Sequence, residues 1–323
     1  MIVNYPRMRR RAAWPDDLDT ALEFSSANPF SISAPKNWDG KLEYTNGSRW
    51  KTWDGSAIAS GKIENNHCIY LRGIGNSKLT GVNSITAKWS VIGMNIACNG
   101  DIDLLLDYST VKGGDRPSMS DFCYSYMFQD CTSLIASPSL PATTLASSCY
   151  YYMFSGCTSL IAAPSLPATT LADHCYFSMF RYCTSLTAAP SLPATTLAEA
   201  CYYYMFSDCT SLIASPSLPA TTLAKSCDRR MFYDCTSLTA VPSLPATTLA
   251  ETCYFDMFRE CTKIKLSTTA SGTYTKSYRI PKSGIGTTAL NSLNSMFWRT
   301  GGTFTDDPEI NTTYYLDESN TIV

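Results

Sequence analysis

A unit of 26 residues recurs along the middle of this chain without slippage. Its landmark, Cys-Thr-Ser-Leu, begins at Cys131, Cys157, Cys183, Cys209 and Cys235, and an altered copy, Cys-Thr-Lys-Ile, begins at Cys261. A fixed period in the range of 20 to 50 residues predicts supersecondary units that stack on one another, because one unit alone cannot bury its apolar face. Stacked arrays present long surfaces, so the repeat constrains shape far more than it identifies a partner.

Twelve of the fourteen cysteines belong to this period, as six Cys-x7-Cys pairs from Cys123/Cys131 to Cys253/Cys261. If each pair lies on one helix, eight residues rise about 12 Å. A disulfide needs Cα atoms about 5.5–6 Å apart. The pairs are therefore expected to be reduced, buried and packed as small hydrophobes. Zinc is not expected, since Cys-x2-Cys is absent and His67 and His174 are the only histidines.

Within one unit, Cys149, Tyr150, Met153, Phe154 and Cys157 fall within about 140° of arc at 100° per residue, one apolar face of a short helix. Met-Phe recurs at Met127, Met153, Met179, Met205, Met231 and Met257, and Asp228 stands where the other copies have tyrosine. Thr170-x-x-Asp173, Thr196-x-x-Glu199 and Thr248-x-x-Glu251 read as capping boxes at the helix start. Leu160 to Leu166 is expected to be extended, with both leucines inward and a short strand, because Pro164 and Pro167 interrupt a regular ladder. Six or seven coils at strand spacing would give a rod of roughly 30–35 Å.

The pattern Met-Phe-x-x-Cys-Thr-Ser-Leu followed by Leu-Pro resembles the BspA-type, or Treponema pallidum-type, leucine-rich repeat over roughly residues 119–265. The chain departs from that family in its longer unit and second proline. The resemblance implies an α+β fold: a small N-terminal all-β domain followed by a leucine-rich-repeat solenoid of short strands and short helices. It also implies adhesion or binding rather than catalysis.

The copies differ mainly at four outward positions of the expected helix. These carry Tyr126, Tyr151, Tyr152, Phe177, Arg181, Tyr182, Tyr203, Tyr204, Arg229, Arg230, Tyr233, Phe255 and Arg259, which form the candidate binding set. Two readings stay open. Surface positions drift because substitutions there cost little, or a face rich in Tyr and Arg is a contact surface or sugar-stacking platform. The exposed Pro-Ser-Leu-Pro-Ala-Thr-Thr-Leu side reads as turn and cap chemistry, with contact to a repetitive partner as the alternative.

Four regions are expected: 1–27 as a tail or anchor, 28–110 as a small β domain, 111–265 as the solenoid, and 266–323 as a degenerate last repeat and cap. Strands are expected at Phe30–Ala34, Lys41–Tyr44, Arg49–Trp53, Ile58–Ile63, Cys68–Arg72 and Trp89–Cys98, with Asn46-Gly47 as a hairpin signal. Gly73 to Thr80 lacks the phosphate-loop spacing and reads as a turn. Asp101–Tyr108 is expected to seal the first coil, Ala289–Phe297 to form a degenerate final helix, and Thr303–Val323 to close the chain as a β segment.

The net charge of −2 favours neither nucleic acid nor an anionic membrane. Arg7, Arg9, Arg10 and Arg11 read as a solvated tail, or as a docking element for an acidic surface. No stretch approaches the ~18 apolar residues of a membrane span, and Met1 to Asp16 lacks the apolar region of a secretory signal. No cofactor or metal is expected. No Ser-His-Asp, Cys-His or metal set has a suggestive spacing, so an enzyme is not expected.

The combination of short N-terminal segment, β region and repeat is similar to accessory proteins of phages that infect Bacteroides-like gut bacteria. That resemblance implies a virion component, a fibre or a head or tail decoration, made in the host cytoplasm. Its partners would be other virion proteins through the N-terminal segment, and a host-surface protein or glycan. A homo-oligomer is compatible with this. The alternative is a BspA-like adhesin on a bacterial cell surface.

Overall fold

The computed structural model describes residues 14–323. Arg7, Arg9, Arg10 and Arg11, with most of the expected tail, lie outside the described residues. Within the segment 1–27, Leu22–Ser26 is a strand whose alternate residues Leu22, Phe24 and Ser26 are buried. It sits inside a seven-stranded sheet, between Ile96–Asn99 and Asn66–Ile74. Leu22 pairs with Leu71 and Phe24 with Ile69. Lys41–Thr45 and Lys51–Trp53 complete the far side as an antiparallel hairpin around Asn46-Gly47, and Gly61–Ile63 also pairs with Asn66–Ile74. The expected run Ile58–Ile63 divides, because Ile58–Ala59 joins a separate three-stranded sheet with Ser31–Ser33 and Ser90–Ile92.

The expected α+β class is corrected. The chain is mostly β, in several small sheets, and among the described residues Leu104–Lys112 is the one α-helix. The repeat region is not a solenoid of short strands and short helices. The segments read as helices are runs of overlapping turns, and Ala289–Phe297 is another such run.

The hydrogen bonds give the reason. In the copy from Ser148, Tyr151 N–H donates to the Ser148 carbonyl at 3.2 Å, Met153 to Tyr150 at 3.1 Å, Ser155 to Tyr152 at 3.1 Å and Cys157 to Phe154 at 3.0 Å. These span three residues, where an α-helix spans four. The residues between donate across to the next copy: Tyr150 to Cys175 at 3.0 Å, Tyr152 to Phe177 at 2.9 Å, Phe154 to Met179 at 3.0 Å and Gly156 to Arg181 at 2.8 Å. Donors thus alternate strictly between the local turn and the neighbouring copy.

Every fourth residue has positive φ: Ser148, Tyr152 and Gly156 in this copy, and His174, Ser178 and Tyr182 in the next. A left-handed residue at the third position of a turn re-aims the following N–H, so no helix propagates through it. The capping boxes are corrected with the helices. At that position the Asp173 carboxylate accepts the N–H of Glu199 from the next copy, at 3.0 Å.

In the second half of the unit Leu160 and Leu166 are buried as expected, while the expected short strand is reduced in the middle copies to isolated bridges. Isolated parallel bridges join Ala162 to Ala188, Ala188 to Ala214 and Ala214 to Ala240.

The interior is a set of columns running across the copies. Phe128, Phe154, Phe180, Phe206, Phe232, Phe258 and Phe297 stack with ring centroids 5.5–5.8 Å apart. The second thiol of each pair, at Cys157, Cys183, Cys209, Cys235 and Cys261, donates to the phenylalanine carbonyl of the preceding copy, as Cys183 does to Phe154 at 3.2 Å. A third column, Tyr124, Tyr150, Tyr176 and Tyr202, is spaced 5.6–6.0 Å. Asp228 interrupts it, and Tyr254 occupies the same place one copy later.

Both ends of the stack are covered. At the start, N–H groups of Leu79, Trp89 and Ile96 donate to Cys123, Met127 and Ser133, and Trp89 and Phe24 pack on Phe128. Leu134–Ala136 pairs in parallel with Ile96–Asn99, so the first copy is an edge strand of the seven-stranded sheet. At the other end, a four-stranded sheet of Tyr274–Arg279, Thr313–Asp317, Lys265–Ser267 and Gly301–Gly302 follows the last copies. Thr321–Ile322 returns to pair with Ala240–Val241.

Candidate binding face

Four residues of turn per cycle send two side chains inward and two outward. The outward pairs of successive copies lie one above the other and form a strip along one side of the stack. All thirteen residues of the candidate set belong to it, in one unbroken chain of ring and guanidinium contacts.

The strip begins with Tyr126 stacked on Tyr152 at 5.3 Å and in edge contact with Tyr151 at 5.5 Å. Tyr151 stacks on Phe177 at 4.7 Å, and Phe177 meets Tyr203 at the same distance. From there arginines alternate with rings. Arg181 lies 4.5 Å from both Tyr182 and Tyr204. Arg229 lies between Tyr203 and Phe255, at 5.4 and 4.5 Å. Arg230 reaches Tyr204 and Tyr233, and Arg259 lies 5.8 Å from Tyr233.

Arg259 also sits 4.0 Å above Trp298, which in turn carries Arg299 at 3.9 Å. Trp298 and Arg299 extend the strip beyond the residues read from the sequence. Their signal was present, since Trp298 follows Met296-Phe297 at the place where Tyr233 and Arg259 follow their own Met-Phe.

Not every outward position reaches solvent. Ser125, Ser155, Ser178, Ser207 and Asp256 are buried beneath the longer side chains of neighbouring copies. Asp256 there holds two guanidinium groups, with Arg230 Nε at 2.7 Å and Arg259 Nη1 at 3.4 Å. Arg181 pairs with Asp208 at 3.4 Å and Arg299 with Glu260 at 3.3 Å. Burial raises the phenol of Tyr151 above its ordinary value, and neighbouring Tyr126 and Tyr152 add to this. The Tyr151 ring therefore acts as a neutral, apolar face with a hydroxyl that donates. Mutual contact leaves most of the strip half-buried, which reduces the side-chain entropy that a ligand would have to remove.

Elsewhere the chemistry is closed. All fourteen cysteines are free and buried, and burial pushes Cys175 and Cys183 up to about 12. The histidines stand apart, His67 in the seven-stranded sheet and His174 on the turns, where it lies 5.8 Å from Phe177. A cleft of about 390 Å³ opens where Asp103 and Arg116 face Thr143 and Thr144. Its buried Asp103 is pushed up to about 6 by burial and then by Asp101, while the Tyr124 hydroxyl donates to it at 3.0 Å. Arg116 pairs with both Asp101 and Asp103, which occupies the charge that a ligand would need. Among the described residues, no group of three or more His, Cys, Asp or Glu is placed to hold a metal ion, and no helix is long and apolar enough to cross a membrane. No family model, curated protein or solved structure matches the chain.

Proposed function

We propose that this is a non-catalytic attachment protein that holds a protein or glycan surface on its aromatic and arginine strip. The observation that carries the reading is the continuity of the strip, from Tyr126 to Arg299, across seven consecutive copies. Interfaces concentrate tyrosine, tryptophan and arginine because these side chains offer large contact area and hydrogen bonding at low entropic cost. The partner class is a polymer or a repetitive surface, since the strip is long, narrow and nearly uniform in chemistry.

Placement in a phage virion, as a fibre or a head or tail decoration, is part of the proposal and rests on the sequence resemblance. A bacterial surface adhesin shares the attachment chemistry and differs in where the protein resides. Mass spectrometry of purified virions separates the two: recovery of the chain with the particles supports the first, and its absence from them overturns it.

The attachment reading is tested by replacing Tyr151, Tyr152, Tyr203 and Tyr204 together with Ser. Lost binding to host surface, with the melting transition retained, supports it. Lost stability with binding intact would make the strip a packing device and end the proposal.

A further inference from the structure

This inference rests on the reading of the strip as a binding face and names the chemistry of what is bound. Of the five arginines on the strip, Arg181, Arg230, Arg259 and Arg299 are each held by a carboxylate. Arg229 has no carboxylate or hydrogen-bond partner among the described residues, and its Nε is buried without an acceptor. Its guanidinium is held only by the faces of Tyr203 and Phe255. That Nε, like the Nε of Arg259, is enclosed by the protein; the Arg229 Nη groups are neither buried nor paired, and they are the donors that an anion can reach.

Two features limit the anion. The rings beside Arg229 form a platform, with Tyr203 at 4.7 Å from Phe177 and 4.5 Å from Tyr204. These contacts cover much of each ring, and Tyr203 and Phe177 are half-buried, so the apolar C–H face of a pyranose would pack on the parts of the rings that stay exposed. The last outward position of each turn run, however, places Asp208, Asp234 and Glu260 in neighbouring copies. Their proximity is felt at Asp234, whose carboxyl is raised by burial and then by the other two. A ligand with a charge on every unit, such as a polyphosphate, would run against this row. A ligand with one carboxylate set among neutral rings avoids it.

We propose that Tyr203, Arg229 and Phe255 form the anchoring step of a site for carboxylated sugars, with a uronate carboxylate on the Arg229 guanidinium and adjoining sugar rings on Tyr203 and Phe177. This is charge complementarity at one position in an otherwise neutral platform, so it governs selection among glycans more than total affinity.

The test uses the full chain in calorimetric titrations with oligogalacturonate, oligomannuronate and a hyaluronan oligosaccharide. Fully methyl-esterified oligogalacturonate, oligo-dT and polyglutamate serve as comparisons. The expected result is binding of at least one uronate oligomer, about ten-fold weaker binding of the ester, and a similar loss in Arg229→Gln at an unchanged melting temperature. Arg229→Lys, which keeps the charge but not the planar fork, is expected to retain part of the binding. The proposal is overturned if none of the three uronates binds, if the ester or Arg229→Gln binds as well as the native pair, or if oligo-dT or polyglutamate binds more tightly than every uronate. Neutral glycan binding that survives Arg229→Gln and is lost on replacing the four tyrosines would remove this inference and leave the attachment reading standing.

Discussion

The Cys227 thiol donates to the carboxylate of its chain neighbour Asp228 at 3.2 Å, inside the stack, where other copies place a tyrosine ring. The other carboxylate oxygen of Asp228 is buried without a partner. Beside it lies a small cavity of about 10 Å³, walled by Leu192, Leu197, Leu218 and the rings of Tyr202 and Tyr254.

Burial pushes the Asp228 carboxyl up to about 7, and the Cys227 thiol offsets only part of this. The folded chain therefore holds this proton more tightly than the unfolded chain does. The resulting stability is fully present below the unfolded value near 4 and is lost as pH rises towards 7. Urea unfolding is expected to show the native chain weakening by up to about 4 kcal/mol over that window, at about 1.4 kcal/mol per unit. Asp228→Asn removes most of the slope, and Asp103 and Asp234, whose raised values act in the same direction, contribute to the remainder. Equal pH dependence in the native chain and Asp228→Asn would show that the acid is not held neutral by its surroundings.

Asp234 has positive φ and no side-chain partner among the described residues, and it stands between the carboxylates of Asp208 and Glu260. Gly156 occupies the same place in an earlier copy. In a turn of this kind, Asp234→Gly relieves backbone strain and is expected to stabilise by about 0.5–1 kcal/mol. In a helix, glycine would instead cost a few tenths of a kcal/mol or more. The sign of the change in the unfolding midpoint therefore distinguishes the two conformations.

The thiols are expected to be silent to alkylation. Burial holds them far from the thiolate form, Cys131 and Cys175 near 12 among them. A thiol reagent at pH 8 should label none of the fourteen cysteines in the native chain and all of them in denaturant. Labelling before global unfolding would mean that the copies open individually.

Asn320 closes the C-terminal end. Its side-chain amide donates to the carbonyls of Lys263 at 2.9 Å and Thr239 at 3.1 Å, and its oxygen accepts the Lys265 N–H at 2.9 Å. The residue is fully buried. Asn320→Ala removes all three bonds and leaves the Lys263 carbonyl and the Lys265 N–H without partners, while the Thr239 carbonyl keeps the Thr321 N–H, and it is expected to cost about 2–4 kcal/mol. A melting temperature unchanged by this substitution would mean that water replaces all three bonds.

The period, the inward residues and the outward set were legible because they depend on residue type at fixed spacing. Cys149, Tyr150, Met153, Phe154 and Cys157 are inward on a helix, and they are inward on turns of four residues as well. At four residues per cycle they gather within about 90° instead of about 140°, a tighter fit that pointed to turns. Gly156, Asp208 and Asp234 at one recurring place pointed the same way, since these types tolerate positive φ. Arg229 was legible as an outward arginine. Its isolation was not, because Asp256 and Asp208 select Arg230, Arg259 and Arg181 through distances between copies.

Local information thus determines which side chains must be hidden and how often the unit returns. It does not choose between 3.6 and 4 residues per cycle over nine residues, because both hide the same five. That choice is made between copies. Tyr150, Tyr152, Phe154 and Gly156 each gain a carbonyl from the next copy only if the chain breaks helical geometry at every fourth residue. A buried backbone donor must find a partner, and the partner here lies in the next unit of the stack.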